Sequence, residues 1–137
     1  MKAQDFLMQI EKIDRMIKNK NADVEYWRTI AEGMTGQSYG EKVQSDKNLH
    51  KMEAAIAKSV DLQNEDIAEL LKKRRFIIQQ IEKLPIDEYD VLFMRYVKMA
   101  SYKQIAVDCK RSESWATSMH GNALQHLQKV LDESEEI

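Results

Sequence analysis

Apolar residues recur every three or four positions along two long, proline-free stretches, a spacing that amphipathic helices satisfy and strands do not. The first seam runs Phe6, Ile10, Ile13, Ile17, Val24, Trp27, Ala31 and Met34. Its register is a heptad broken only at Lys20, which Asn19 and Asn21 flank, so it predicts a helix with a coiled-coil face. Gly33 to Gly40 holds three of the four glycines and predicts a loop. Glu41 to Ser45 is weakly patterned and predicts loop or a first helical turn. A second seam, through Leu49, Met52, Ile56, Val60, Gln63, Ile67, Leu70, Arg74, Ile77, Ile81 and Leu84, predicts a helix from about Asp46 to Lys83. Its paired four-residue steps at Met52, Ile56 and Val60 predict a local unwinding of a left-handed supercoil. Residues 1–83 are therefore expected to form a long antiparallel helical hairpin, coiled-coil-like, with arms roughly 45–55 Å long. One antiparallel seam leaves Leu7, Met16, Ile30, Leu62, Leu71, Phe76 and Ile78 over. That excess predicts a further partner, either the rest of the chain or a second copy.

Residues 84–131 have a different grammar. Pro85, the only proline, ends the preceding helix or starts the next, and Asp87 can cap a short helix that buries Val91, Leu92 and Met94 with Tyr96 and Val97 behind them. Ser101 followed by Gln104 is a capping box, predicting a helix that points Ile105 and Ala106 inward and stops near Cys109. Ser112 is the next cap. Beyond it Ala116, Met119, Ala123, Leu127 and Val130 step by three or four. A short helix, a tight turn and a longer helix spell a helix-turn-helix domain. The fold class expected is all-α, a helical hairpin followed by a helix-turn-helix, with residues 132–137 a frayed acidic tail.

Within that region Leu84-Pro85, Val91-Leu92, Arg95-Tyr96, Ser101-Tyr102, Ile105-Ala106, Ser112, Ala116 and Ala123-Leu124 resemble region 4 of bacterial sigma factors in order and spacing. His120-Gly121-Asn122-Ala123-Leu124, together with the upstream run Glu41-Lys42-Val43-Gln44-Ser45, resembles the phage-encoded ArpU/RinA-type late transcriptional regulators. In that family a helical hairpin precedes a sigma-like domain. The resemblance implies sequence-specific binding of double-stranded DNA and regulation of phage late or packaging genes, with host RNA polymerase as a partner.

Composition bounds the alternatives. The net charge is −2 over 137 residues, so bulk charge supplies no nucleic-acid footprint. Without the acidic tail, residues 84–131 hold six basic against five acidic side chains, which predicts modest DNA affinity per protomer. A single cysteine, Cys109, excludes an intramolecular disulfide and fits a reducing cytoplasm. No apolar run approaches the roughly 18 residues of a membrane span, and the N-terminus lacks the apolar core of a signal peptide. No catalytic group, metal site or cofactor is expected. His50, His120 and His126 are scattered, and the six-residue spacing of the last two puts them on different helix faces. By the resemblance, Cys109 stands where sigma-like domains place a leucine, which makes it a small core filler.

A helix that reads base edges does so with side chains near its N-terminus, turned away from its core stripe. Turned away from Ala116, Met119 and Ala123 are Glu113, Ser114, Thr117 and Ser118, followed by Asn122. Trp115, beside the stripe, either packs or stacks on a base. The resemblance places the first four where sigma region 4 meets the −35 element. Sigma factors carry Arg and Gln there, so this chain is not expected to read a consensus −35 hexamer. Lys98, Lys103, Lys110 and Arg111 are natural phosphate anchors. Lys110 replaces the glycine usual in the turn, which requires either a left-handed lysine at roughly 1 kcal/mol or a different turn. Lys72-Lys73-Arg74-Arg75 spans most of a helix circumference and is either a solvated face, with Arg74 on the seam, or a second DNA contact. Two rival functions share these features: a small-terminase-like DNA-packaging subunit assembled as a ring, and a sigma mimic that binds polymerase without touching DNA. All three readings expect a homo-oligomer, dimer or higher, or a protein partner for the hairpin.

Overall fold

A computed structural model describes residues 1–36 and 43–135. Among these the chain is all-α: α1 is Ala3–Gly36, α2 Val43–Ile81, α3 Ile86–Leu92, α4 Tyr102–Cys109 and α5 Glu113–Glu135, and a π-helical turn, Phe93–Val97, extends α3. At 1.5 Å per residue, α1 with 34 residues and α2 with 39 are about 51 and 58 Å long. No helix among the described residues is long and apolar enough to cross a membrane. The chain packs as two compact units, Met1–Asp14 with Lys72–Ile137, and Arg15–Leu71. The unit boundaries thus fall inside both long helices.

Several expected boundaries shift. α1 continues through Gly33 to Gly36, where a loop was expected, because glycine weakens a helix without removing a backbone donor as proline does. A side chain at Gly33 would meet nothing within 4 Å. α2 begins at Val43 rather than near Asp46. The rest of the expected loop, 37–40, lies outside the described residues, as do Glu41 and Lys42 of the upstream run. α5 reaches Glu135, so the start of the expected frayed tail is helical. Gln128 donates to Asp132 at 3.0 Å and Ser134 to the carbonyl of Val130 at 3.1 Å, which ties that last turn down.

In unit 2, Lys20 Nζ lies 3.3 Å from Asp66 and 3.2 Å from Gln63, whose amide donates to Asp23 at 2.6 Å. Rising numbers on α1 meet falling numbers on α2, so the two run antiparallel here. Lys20, which interrupts the apolar seam, therefore bridges to the facing helix. Val24, Ile56 and Leu70 are buried. Met52, a seam residue expected inside, is exposed.

Unit 1 holds the main core. Leu7 and Ile10 of α1, Ile81 of α2, Val91 and Leu92 of α3, Ile105 of α4, and Ala116, Ala123 and Leu127 of α5 are fully buried. Leu7, left over from the α1 seam, is thus covered within the chain, whereas Phe76 stays exposed and meets Phe6 edge-on at 6.4 Å. Arg74, the seam arginine, pairs with Asp14 at 2.7 Å. The N-terminus is tied to α5, since Ala3 N donates to Gln128 Oε1 at 2.8 Å and Gln128 donates to the carbonyl of Met1 at 3.1 Å.

Pro85, not Asp87, stands at the head of α3. It makes no side-chain cap, and its carbonyl accepts from Tyr89 N at 2.9 Å. Proline supplies the helix-compatible φ and sacrifices only a donor that a first turn leaves unpaired. Val91 and Leu92 are buried as expected; Met94 and Val97 are only half-buried. Ser101 Oγ caps α4 by accepting from Gln104 N at 3.1 Å, but Gln104 turns forward to Asp108 at 2.9 Å, leaving half of a capping box. α4 ends in a Schellman turn: Arg111 N donates to Ala106 O at 2.9 Å and Lys110 N to Val107 O at 3.2 Å, with Lys110 left-handed at φ 57°. Lysine there bears the penalty of a Cβ that glycine lacks. Lys110→Gly should therefore raise stability by about 1 kcal/mol in urea unfolding. A loss of stability would mean that the lysine side chain contributes more to the fold than its backbone strain removes.

Candidate nucleic-acid interface

The orientation of α5 follows from what its other side buries. Val91, Ile105, Ala106 and Ala116 form a buried cluster, with Met94, Ala100, Tyr102, Cys109, Trp115 and Met119 packed around it. α5 packs against both α3 and α4. Alanine at 116 and 123 lets those helices approach closely, and Leu127 closes the stripe.

A polar network fixes the rotation further. His120 is buried and stacks on Tyr96 with ring centroids 5.6 Å apart. Its Nε2 lies 2.7 Å from the Tyr96 hydroxyl, and its Nδ1 lies 3.3 Å from that of Tyr102. Burial, then the Arg95 guanidinium, push the His120 pKa below its ordinary value. A neutral ring suits this site, because one tyrosine can donate to its bare nitrogen while the other accepts from its N–H. Burial, then Tyr102, push the Tyr96 hydroxyl pKa up. The Arg95 guanidinium sits over the Tyr102 ring at 4.4 Å and donates to the Ala100 carbonyl at 3.0 Å. That carbonyl follows Met99, a second left-handed residue at φ 57°. Lower on α5, His126 pairs with the buried Glu88 of α3. Both histidines thus brace α5, a role their sequence spacing does not reveal.

The opposite face of α5 is open. Ser112 Oγ caps the helix by accepting from Trp115 N at 3.0 Å. Glu113, Ser114, Thr117 and Ser118 are all exposed and, at 100° per residue, fall within about 140° of arc. Thr117 Oγ1 donates to the Glu113 carbonyl at 2.9 Å, so its hydrogen is engaged. Asn122 is exposed too but lies about 180° from Glu113, at the margin of this face. Gly121 and Gln125, exposed and absent from the sequence candidates, continue the line Ser114, Ser118 at i+7 and i+11. That spacing could have found them.

Lys103, Lys110, Arg111 and Lys98 are exposed. Lys110 and Arg111 lie in the turn between α4 and α5, and Lys103 in the first turn of α4. Lys98 follows the π-helical turn, its ammonium 5.9 Å from the Phe93 ring centroid. The Arg111 guanidinium lies 5.5 Å from the Trp115 ring centroid, and Trp115 is half-buried against the core. Cys109 is half-buried; desolvation and the nearby carboxylates of Asp90, Asp108 and Asp87 push its thiol pKa up, against a lowering by Arg111. Among the described residues no cluster of three metal-ligating side chains occurs.

Comparison with protein-family models, curated proteins and solved structures finds no match to this chain.

The depressed His120 pKa has a consequence for stability. The unfolded chain takes up a proton near pH 6.5, whereas the folded chain holds His120 neutral to a lower pH. Stability from this group is therefore fully present above about pH 6.5 and is lost as pH falls toward the folded pKa. Urea unfolding from pH 7.5 to 5 should show wild type losing more stability than His120→Gln. Parallel curves would contradict a buried neutral histidine.

Proposed function

We propose that this protein is a sequence-specific DNA-binding transcriptional regulator, not an enzyme, of the ArpU/RinA type that its sequence resembles. In this reading α4, the Lys110–Ser112 turn and α5 are a helix-turn-helix, and α5 enters the major groove. The single observation that carries it is the open face at the start of α5, held opposite a fully buried Ala116, Ala123 and Leu127. Glu113 offers an acceptor for a cytosine amino group. With the Thr117 hydroxyl donating to the backbone, its methyl is the group left for a thymine methyl. Lys103, Lys110 and Arg111 supply phosphate contacts, and Lys98 does so from the side of α3.

The two long helices serve as a hairpin for self-association, and host RNA polymerase in the bacterial cytoplasm is the further partner. Met16, Leu62 and Leu71 support the self-association, because they remain exposed on this chain. Phage late or packaging genes are the proposed targets, by the resemblance alone.

A base-by-base competition, run at several salt concentrations, tests the interface. Glu113→Ala should relax preference at one base pair by about 1–3 kcal/mol and leave non-specific affinity unchanged or slightly higher. The Lys103, Lys110 and Arg111 triple alanine variant should instead weaken all sequences alike and lower the salt slope by about one unit per lost phosphate contact. Ser112→Ala, a control, should cost about 1 kcal/mol of folding stability with preference unchanged. If Glu113→Ala and the triple variant both bind as wild type does, a polymerase-binding sigma mimic becomes the better account.

A further inference from the structure

The side of α5 turned away from the core continues beyond the residues assigned a role above. At 100° per residue, Ser114, Ser118, Gly121 and Gln125 fall within about 60° of arc, directly opposite the buried Ala116, Ala123 and Leu127. All four are exposed. Between Glu113 and Asp132 no residue is acidic, so no carboxylate on this ridge repels phosphate. Gln128, within one turn of Gln125, is tied to Met1 and Ala3, which closes the ridge at that end.

Two residues of the ridge are unexplained by the fold. Gly121 is the ninth residue of a 23-residue helix, a place where glycine is the least favourable residue after proline. Its backbone is helical, and a Cβ there would meet nothing within 4 Å. Neither a turn nor packing within the chain therefore requires glycine. Gly33 is as open, but it lies in the last turn of α1, where helices fray. Gln125 is the second. Its side-chain amide makes no hydrogen bond among the described residues, whereas Gln128 accepts from Ala3 and donates to Met1 and Asp132.

The two stand one turn apart on the same side. Side chains on a helix lean toward its N-terminus, so that of Gln125 covers the turn that holds Gly121. With no side chain at 121, the amide borders a notch instead of a neighbour. A base edge can enter that notch as far as the helix backbone, where glutamine pairs with adenine by accepting from N6 and donating to N7. Ser114, Thr117, Ser118 and Gly121 also repeat the i, i+3, i+4, i+7 spacing of a helix that lies along the groove. We infer that Gly121 and Gln125 form a second base-reading point on α5, specific for adenine, with the helix lying lengthwise in the major groove. Gln125 stands about 18 Å along the axis from Glu113. Its base pair is therefore a different one, up to about five steps away.

The inference rests on the DNA reading proposed above, and one base-by-base competition with the full-length protein separates the two. Gln125→Ala should reduce the preference for adenine at one base pair by about tenfold or more. That position should differ from the one that Glu113→Ala relaxes. Gly121→Ala should raise the urea midpoint, because alanine favours a helix. It should nevertheless weaken binding to the preferred site about tenfold, because its methyl group fills the notch. A glycine with a purely structural role does not produce that opposition. If Glu113→Ala relaxes one position while Gln125→Ala leaves every position unchanged, the DNA reading stands and this second point falls. It falls equally if Gly121→Ala is less stable than wild type or binds as wild type does. A wild type with no preference at any position would overturn both.

Discussion

The close packing of α5 against α3 and α4 is what the rest of unit 1 depends on. Two alanines, Ala116 and Ala123, are fully buried, and a larger residue at either would have to displace a neighbouring helix, at a typical cost of about 1–3 kcal/mol. Around this apolar contact sit directional ones. His120 meets two tyrosines, and His126 meets Glu88, one of whose oxygens, Oε2, is buried without a partner. Apolar packing sets how near α5 can come; the hydrogen bonds set its rotation, because they are lost within a few tens of degrees. A helix fixed in both respects presents the same side chains outward in every molecule. Preorganised recognition requires that.

Much of this was legible in the sequence, because helical period and capping chemistry are local. The stripe Ala116, Ala123, Leu127 and the caps at Ser101 and Ser112 follow from residue type and spacing. The left-handed turn at Lys110 was one of two alternatives, and the residue itself could not decide between them. What escaped depends on partners distant in the chain. His120 and His126 are unremarkable as isolated residues, and only Tyr96, Tyr102 and Glu88 make them braces. Leu7 looked like surplus because an antiparallel seam accounts for one stripe per helix, whereas the chain covers it within unit 1. The cap of α3 was misplaced at Asp87 because Asp87 has the better capping side chain, whereas Pro85 takes the N-cap position and Ile86 is the first helical residue.

Unit 2 is governed by a different balance. Its helices bury few side chains completely, so electrostatic order along them takes on more of the task of fixing register. Within Arg15–Leu71 the antiparallel pair sets Lys20 of α1 against Asp66 of α2. Such an exposed pair contributes little energy, typically no more than about 1 kcal/mol. A shifted register or a parallel pairing would separate the two. Charge here selects an arrangement that apolar contacts then stabilise.

The central claim is that the open face of α5 reads base sequence. Selection of duplexes bound by the full-length protein from a random pool, at moderate salt, tests it most directly. Enrichment of a defined motif, with guanine or cytosine preference at a position that Glu113→Ala relaxes, is the expected result. A pool whose sequence after repeated rounds is indistinguishable from the input would contradict it.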